Sequence, residues 1–140
     1  LDPSDPKILG PTRPGRRFCI LGDTSASPRV IPLAQDAHVV VHEATNAHTA
    51  EDTVDYEVLH AVETKAIEHG HSTPQMAGAF AAAVHAKHLV LTHFSARYRG
   101  DRRPDSIAVM EVIRDQAAEA FGRDSVVCAM DLLTLTFGAK

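Results

Sequence analysis

Three short apolar runs, each ending in an acid or an imidazole, constrain this chain more than anything else in it. Phe18-Cys19-Ile20-Leu21 leads into Gly22-Asp23-Thr24, Val39-Val40-Val41 into His42-Glu43, and Leu89-Val90-Leu91 into Thr92-His93. Such runs read as buried strands. One more imidazole, His71, stands in the loop His71-Ser72-Thr73. Asp, Glu and two His therefore arrive from separate segments at a sheet edge, where the ligands of α/β folds gather. That set of groups points to a metal-dependent hydrolase. A dense ligand cluster of the HxHxDH type is absent from the sequence.

Between the strands the pattern switches to helices. Residues 1–17 are rich in Pro, Gly and charge and read as an extended lead-in. A strand over 18–22 is followed by a loop punctuated by Pro28 and Pro32, then by a strand over 39–42. Residues 55–69 carry Leu59, Val62, Ala66 and Ile67 near helical spacing, with Gly70 as C-cap. Ser72 or Thr73 caps the next helix, with Pro74 in its first turn and Gln75 placed for a capping box with Ser72. Its apolar stripe is Met76, Ala77, Phe80, Ala81 and Val84. After a strand over 88–92, a helix begins at Asp105 or Ser106, buries Ile107, Met110, Ile113, Ala117 and Phe121, and ends at Gly122. Two strands, 126–130 and 132–137, are expected to close the chain. The plan is α/β in one unit, without repeats or internal linkers.

Composition narrows the partners. At 140 residues, 44% hydrophobic and 23% charged, the chain suits one globular domain with a core of its own. A net charge of −4 excludes a uniformly basic nucleic-acid coat. It leaves room for a local stripe, and Arg97, Arg99, Arg102 and Arg103 form one. Cys19 and Cys128 lie in apolar runs and read as small buried hydrophobes of a reducing compartment. No run reaches membrane-spanning length and no signal peptide is visible, so an intracellular setting is expected: cytosol, nucleus or an organelle. The first residue is Leu1, and an amino-terminal portion is expected upstream of it.

Four blocks together carry a family resemblance. Gly15-Arg16-Arg17-Phe18-Cys19-Ile20-Leu21-Gly22-Asp23-Thr24, His42-Glu43-Ala44-Thr45, Gly70-His71-Ser72-Thr73-Pro74-Gln75-Met76-Ala77 and Leu91-Thr92-His93-Phe94-Ser95-Ala96-Arg97-Tyr98 occur in this order. They resemble ribonuclease Z, the tRNA 3′-processing endonuclease of the metallo-β-lactamase superfamily, and in wording its short eukaryotic form. The resemblance implies that Asp23 bridges two zinc ions and that His93 is a ligand of one of them. It implies that His71 protonates the leaving oxygen, with Glu43 orienting its ring, and that Ser95 and Arg97 hold the substrate's phosphates. The other histidines (His38, His42, His48, His60, His69, His85, His88) match no ligand position and are expected to be solvated. Beyond Arg97, the arginine stripe stays open between RNA contact and a solvated loop.

The departures from the family pattern are as informative. The HxHxDH block, a further zinc-ligating histidine and the tRNA-gripping arm are missing, and all would precede residue 1. His38 replaces the family's usual acid and Asn46 its usual aromatic, and the segment between Glu43 and His71 is longer than in compact members. The resemblance therefore implies residues 1–140 as the carboxyl-terminal half of an αββα sandwich, a mixed sheet flanked by helices. The missing half would complete an enzyme, homodimeric when whole, that removes the 3′ trailer from precursor tRNA with two zinc ions. Ile20, Val40, Val90 and Leu133 are expected among the apolar residues that this half covers. Two alternatives stay open: a non-catalytic subunit of a ribonucleoprotein that kept the fold, and another hydrolase of the superfamily.

Overall fold

A computed structural model of the chain describes residues 15–49 and 56–138, with the side chains of 56–59 left out. The early Pro-rich stretch expected to be extended lies mostly outside these residues. The three runs form strands: β1 (Phe18–Ile20), β2 (Val39–Glu43) and β3 (His88–Thr92). A fourth, β4 (Val126–Cys128), completes a sheet in the order β1-β2-β3-β4. The sheet expected to be mixed is parallel in all four described strands. The second expected carboxyl-terminal strand, 132–137, does not form; these residues are irregular. A strand needs a ladder partner for its N–H and C=O groups, and the described sheet pairs none with 132–137.

Register divides the side chains between the two faces. Cys19, Val40, Leu89 and Val126 are aligned across the sheet, as are Ile20, Val41, Val90 and Val127. Period-two alternation sends the first set to one side and the second to the other. Parallel neighbours in chain order, joined by crossovers of the near-universal right hand, place every connection on one face. These connections are a 3-10 turn (Pro28–Val30) with the short helix α1 (Ile31–Ala34), then α2 (Tyr56–Glu68), α3 (Pro74–Ala83) and α4 (Pro104–Phe121). Phe80, Ala81 and Val84 with Ile113, Ala117 and Phe121 close over Val40, Leu89, Leu91 and Val126 as one core. Val40, expected on the face awaiting a second half, is therefore fully buried against the helices.

The other face carries no helix among the described residues. Phe18 and Ile20 are 53% and 74% exposed, and Leu133 is exposed beside the sheet. Part of this face is nonetheless covered. Phe137 places its ring 6.3 Å from Phe18 and 5.0 Å from His88, and Val39, between them in register, is buried. Val90, expected among the residues awaiting a second half, is buried as well, unlike Ile20.

Helix ends follow local chemistry. Thr73, not Ser72, is the N-cap of α3: its hydroxyl accepts the Met76 N–H at 3.3 Å. Met76 then occupies the position a capping box needs, so Gln75 makes no such contact, and its buried Oε1 has no partner among the described residues. α4 starts at Pro104, one residue before the expected Asp105, and stops at left-handed Gly122. Of its expected stripe, Ile113, Ala117 and Phe121 are buried, whereas Ile107 is 46% exposed. Both cysteines are free and partly buried, and burial pushes the Cys128 thiol up to about 11. No helix among the described residues is long and apolar enough to cross a membrane.

Candidate metal and acid–base site

Glu43 is the last residue of β2 and one of its most buried, with no solvent exposure. A buried carboxylate is tolerable only when its oxygens are satisfied, and four donors reach this one. Oε1 accepts the Thr24 N–H at 2.7 Å and the ring of His71 through Nδ1 at 3.0 Å. Oε2 accepts the Thr45 hydroxyl at 2.6 Å and the Ser72 N–H at 3.0 Å. Burial works to raise the Glu43 pKa, but the bonds from Thr45, Ser72, Thr24 and His71 outweigh it and hold the carboxyl below its ordinary range. The arginine partner that a surface glutamate would seek plays no part.

These donors are the residues next to the site. Thr24 follows Asp23, Ser72 follows His71, and Thr45 touches His93. The Ser72 hydroxyl also donates to the Thr24 carbonyl at 2.6 Å, tying the Asp23 loop to the His71 loop. Gly70, at φ +75° in the left-handed region, ends α2 and turns the chain so that His71 N–H bonds back to Ala66 O at 2.8 Å. One buried charge thus organises three loops.

The result is a convergence at the carboxyl ends of β1, β2 and β3. His93 Nε2 lies 3.3 Å from Asp23 Oδ1, and the His71 and His93 rings are 5.4 Å apart between centroids. Asp23, His71 and His93 each offer one ligand atom, all within 4.8 Å of one another. His71 Nδ1 is engaged by Glu43, leaving Nε2 as the nitrogen available to the site. Two imidazole nitrogens and a carboxylate form a donor set suited to zinc, fewer than the four ligands of a closed structural site. His93 sits at φ +55°, in the left-handed region that a non-glycine residue occupies only when its surroundings hold it there. Here the Ser95 N–H bond to Thr45 O at 3.0 Å and the contact of Thr45 Oγ with His93 Nδ1 at 2.9 Å provide the hold.

Ser95 and Arg97 stand apart from this cluster. The Arg97 guanidinium donates to the Ala47 carbonyl at 2.5 Å, contacts the Tyr98 hydroxyl and lies over the Tyr98 ring, 4.8 Å from its centroid. Ser95 Oγ accepts the Arg97 N–H at 3.5 Å. In this structure both residues pin the loop after β3 to the loop after β2.

Several histidines depart from the expectation of a solvated ring. His42 is 1% exposed, packs 5.4 Å from the Phe80 ring and holds the Glu43 carbonyl through Nδ1 at 2.8 Å. Burial lowers its pKa, only partly countered by the Glu43 carbonyl and charge. His38 accepts the Arg17 N–H, and His88 packs on Phe137. Thr24, Thr45 and Ser72 were absent from the expected site. Their only signal was proximity within the blocks: Thr24 and Ser72 directly follow Asp23 and His71, and Thr45 stands two residues after Glu43.

Known proteins share this sequence and fold. The chain is 37% identical to mouse zinc phosphodiesterase ELAC protein 1 over 145 aligned positions, covering all of this chain and 36% of that protein. It is 46% identical to ribonuclease Z of Oenococcus oeni over 93 residues, which is 66% of this chain and 25% of the relative. The crystal structure of human tRNase Z, short form, superposes with a TM-score of 0.57 at 34% identity, over 89% of this chain and 35% of that one. The metallo-β-lactamase fold protein YhfI from Bacillus subtilis superposes at 0.55 over 80% of this chain and 36% of that one; at 23% identity this likeness speaks for the fold alone. No family model matches the chain. The chain spans about a third of the length of the mouse relative.

Proposed function

The chain is homologous to ribonuclease Z and has a metallo-β-lactamase fold, and from that kinship we propose that it supplies the proton donor and part of the zinc site of an endonuclease that removes the 3′ trailer from precursor tRNA. The observation that carries the reading is the buried Glu43 bonded to His71 beside Asp23 and His93, all at one sheet edge. Asp23 and His93 are the residues proposed to hold zinc, and two ions are proposed for the complete site. Bound zinc supplies Lewis acidity at the scissile phosphate.

This chain's own groups then do the following. Glu43 fixes the His71 ring through Nδ1 and leaves Nε2 facing the site. As water attacks phosphorus and the bond to the 3′ oxygen of the tRNA breaks, that oxygen takes the proton from His71 Nε2. The tRNA leaves with a 3′-hydroxyl and the trailer with a 5′-phosphate. Ser95 and Arg97 are proposed to steady the phosphate backbone, with the Arg97 fork exchanging the Ala47 carbonyl for a phosphate. The remaining zinc ligands are proposed to come from an amino-terminal half of the same protein. A third of a relative's length, and a sheet face that carries no helix among the described residues and leaves Phe18 and Ile20 exposed, support that division.

A second reading has an observation of its own. His71 lies close enough to Asp23 and His93 to be a third ligand. Replacing it separates the two roles. His71→Ala in the complete enzyme is expected to slow trailer removal about 10²–10⁴-fold with zinc content unchanged, and to spare substrates whose leaving group needs no proton. Zinc loss on substitution would make His71 a ligand instead. Equal damage to natural and activated substrates would rule out the acid role.

A further inference from the structure

Thr45 stands between the two imidazoles, and it has one proton to give. Its hydroxyl oxygen is 2.6 Å from Glu43 Oε2, 2.9 Å from His93 Nδ1, 3.0 Å from His93 O and, more distantly, 3.4 Å from His71 Nδ1, which Glu43 Oε1 holds at 3.0 Å. An ionised carboxylate only accepts, so at 2.6 Å the Thr45 proton must point at Glu43; otherwise lone pairs would face each other. The His93 carbonyl also only accepts, and its longer contact loses that competition to a charged acceptor. With the hydroxyl proton committed, the contact with His93 Nδ1 is readable. At 2.9 Å from an oxygen that now offers a lone pair, His93 Nδ1 must carry hydrogen.

From this geometry we propose that Thr45 is a positioning residue that relays the charge of Glu43 to His93. It fixes His93 as the Nδ1–H tautomer, with Nε2 bare and aimed at Asp23 3.3 Å away. Glu43 does the same to His71 directly. One buried carboxylate therefore sets both imidazoles, one at first hand and one through a hydroxyl, so that both present unprotonated Nε2 atoms to the site when neutral. The use of that bare nitrogen rests on the proposed metal role of His93; the tautomer itself does not. Valine matches threonine in shape and removes the relay, whereas serine keeps it.

The test is a ring-nitrogen measurement in the full-length, zinc-free protein with ¹⁵N-labelled histidine, at a pH where the imidazoles are neutral. Long-range ¹⁵N–¹H correlation distinguishes the tautomers. The parent and Thr45→Ser are expected to show His93 as Nδ1–H. Thr45→Val is expected to shift it to Nε2–H, the form favoured by an imidazole in water, while His71 stays Nδ1–H and so reports an intact site. Zinc affinity should fall about 10–100-fold in Thr45→Val and recover in Thr45→Ser. An Nε2–H signal for His93 in the parent overturns the proposal without any variant, and so does a Thr45→Val protein that keeps both Nδ1–H and full zinc affinity. A parent protein with His93 as Nδ1–H that binds no zinc would uphold the relay and sink the metal reading instead.

Discussion

His42 and Glu43 are neighbours on β2, yet alternation sends one into the helix-covered core and the other to the site. Each acquires a depressed pKa from different surroundings, His42 from burial beside Phe80 and Glu43 from four hydrogen bonds that overcome burial. The two act on stability in the same direction. For His42 the unfolded chain binds the proton more readily, so stability is full above its ordinary 6.5 and is lost as pH falls toward the lower folded value. For Glu43 the contribution is present above 4.5 and is lost as pH falls through its depressed folded value. The urea midpoint should therefore decline in two stages on acidification, and His42→Asn should flatten the first. A parent midpoint that is level from neutrality to pH 5 would contradict the burial of a neutral His42.

At the scale of elements, the contact between α3 and α4 is set by the absence of one side chain. A Cβ at Gly78 would stand 2.3 Å from Ala117 O and 2.9 Å from Ala120 Cβ, and the first of these is backbone that cannot swing away. Gly78→Ala should force the helices apart and destabilise the protein by about 1–3 kcal/mol, the usual range for overpacking, despite alanine's better helix propensity. Thermal or urea unfolding measures it; an unchanged or raised stability would show that the helices separate at no cost. The cap at Thr73 is a smaller matter: Thr73→Ala removes one hydroxyl bond and should cost about 1 kcal/mol.

The whole molecule is lopsided. Helices cover one face of the sheet, while Phe18 and Ile20 stay open on the other, and Met130, Leu132 and Leu135 of the irregular carboxyl-terminal segment are exposed as well. β1 is an edge strand without further pairing among the described residues. Exposed apolar surface next to an open edge favours association. The 140 residues alone are expected to self-associate or precipitate, and to leave precursor tRNA uncut with zinc added. Supplying the proposed amino-terminal half should restore a soluble, active species. Sedimentation and a cleavage assay decide it: a monomer that unfolds cooperatively would refute the half-domain reading, and zinc-dependent cutting by it would refute the ligand accounting.

The sequence by itself determined what lies within a few residues of a strong local signal. Apolar runs became strands, Gly122 ended a helix, Pro74 opened one, and strand-end chemistry located the edge where Asp23, Glu43, His71 and His93 meet. Tertiary structure decided what local signals leave degenerate. Whether 132–137 pairs depends on a partner strand and not on its own alternation. Whether Val40 meets helices or waits for a second sheet depends on register, since a step of one residue exchanges the faces. The buried state of His42 and the place of Thr45 between Glu43 and His93 come from the same source. The Thr45 hydroxyl, two residues from Glu43, acquires its role only when packing brings the His93 ring nitrogen from another strand against it, and no spacing within one segment encodes that.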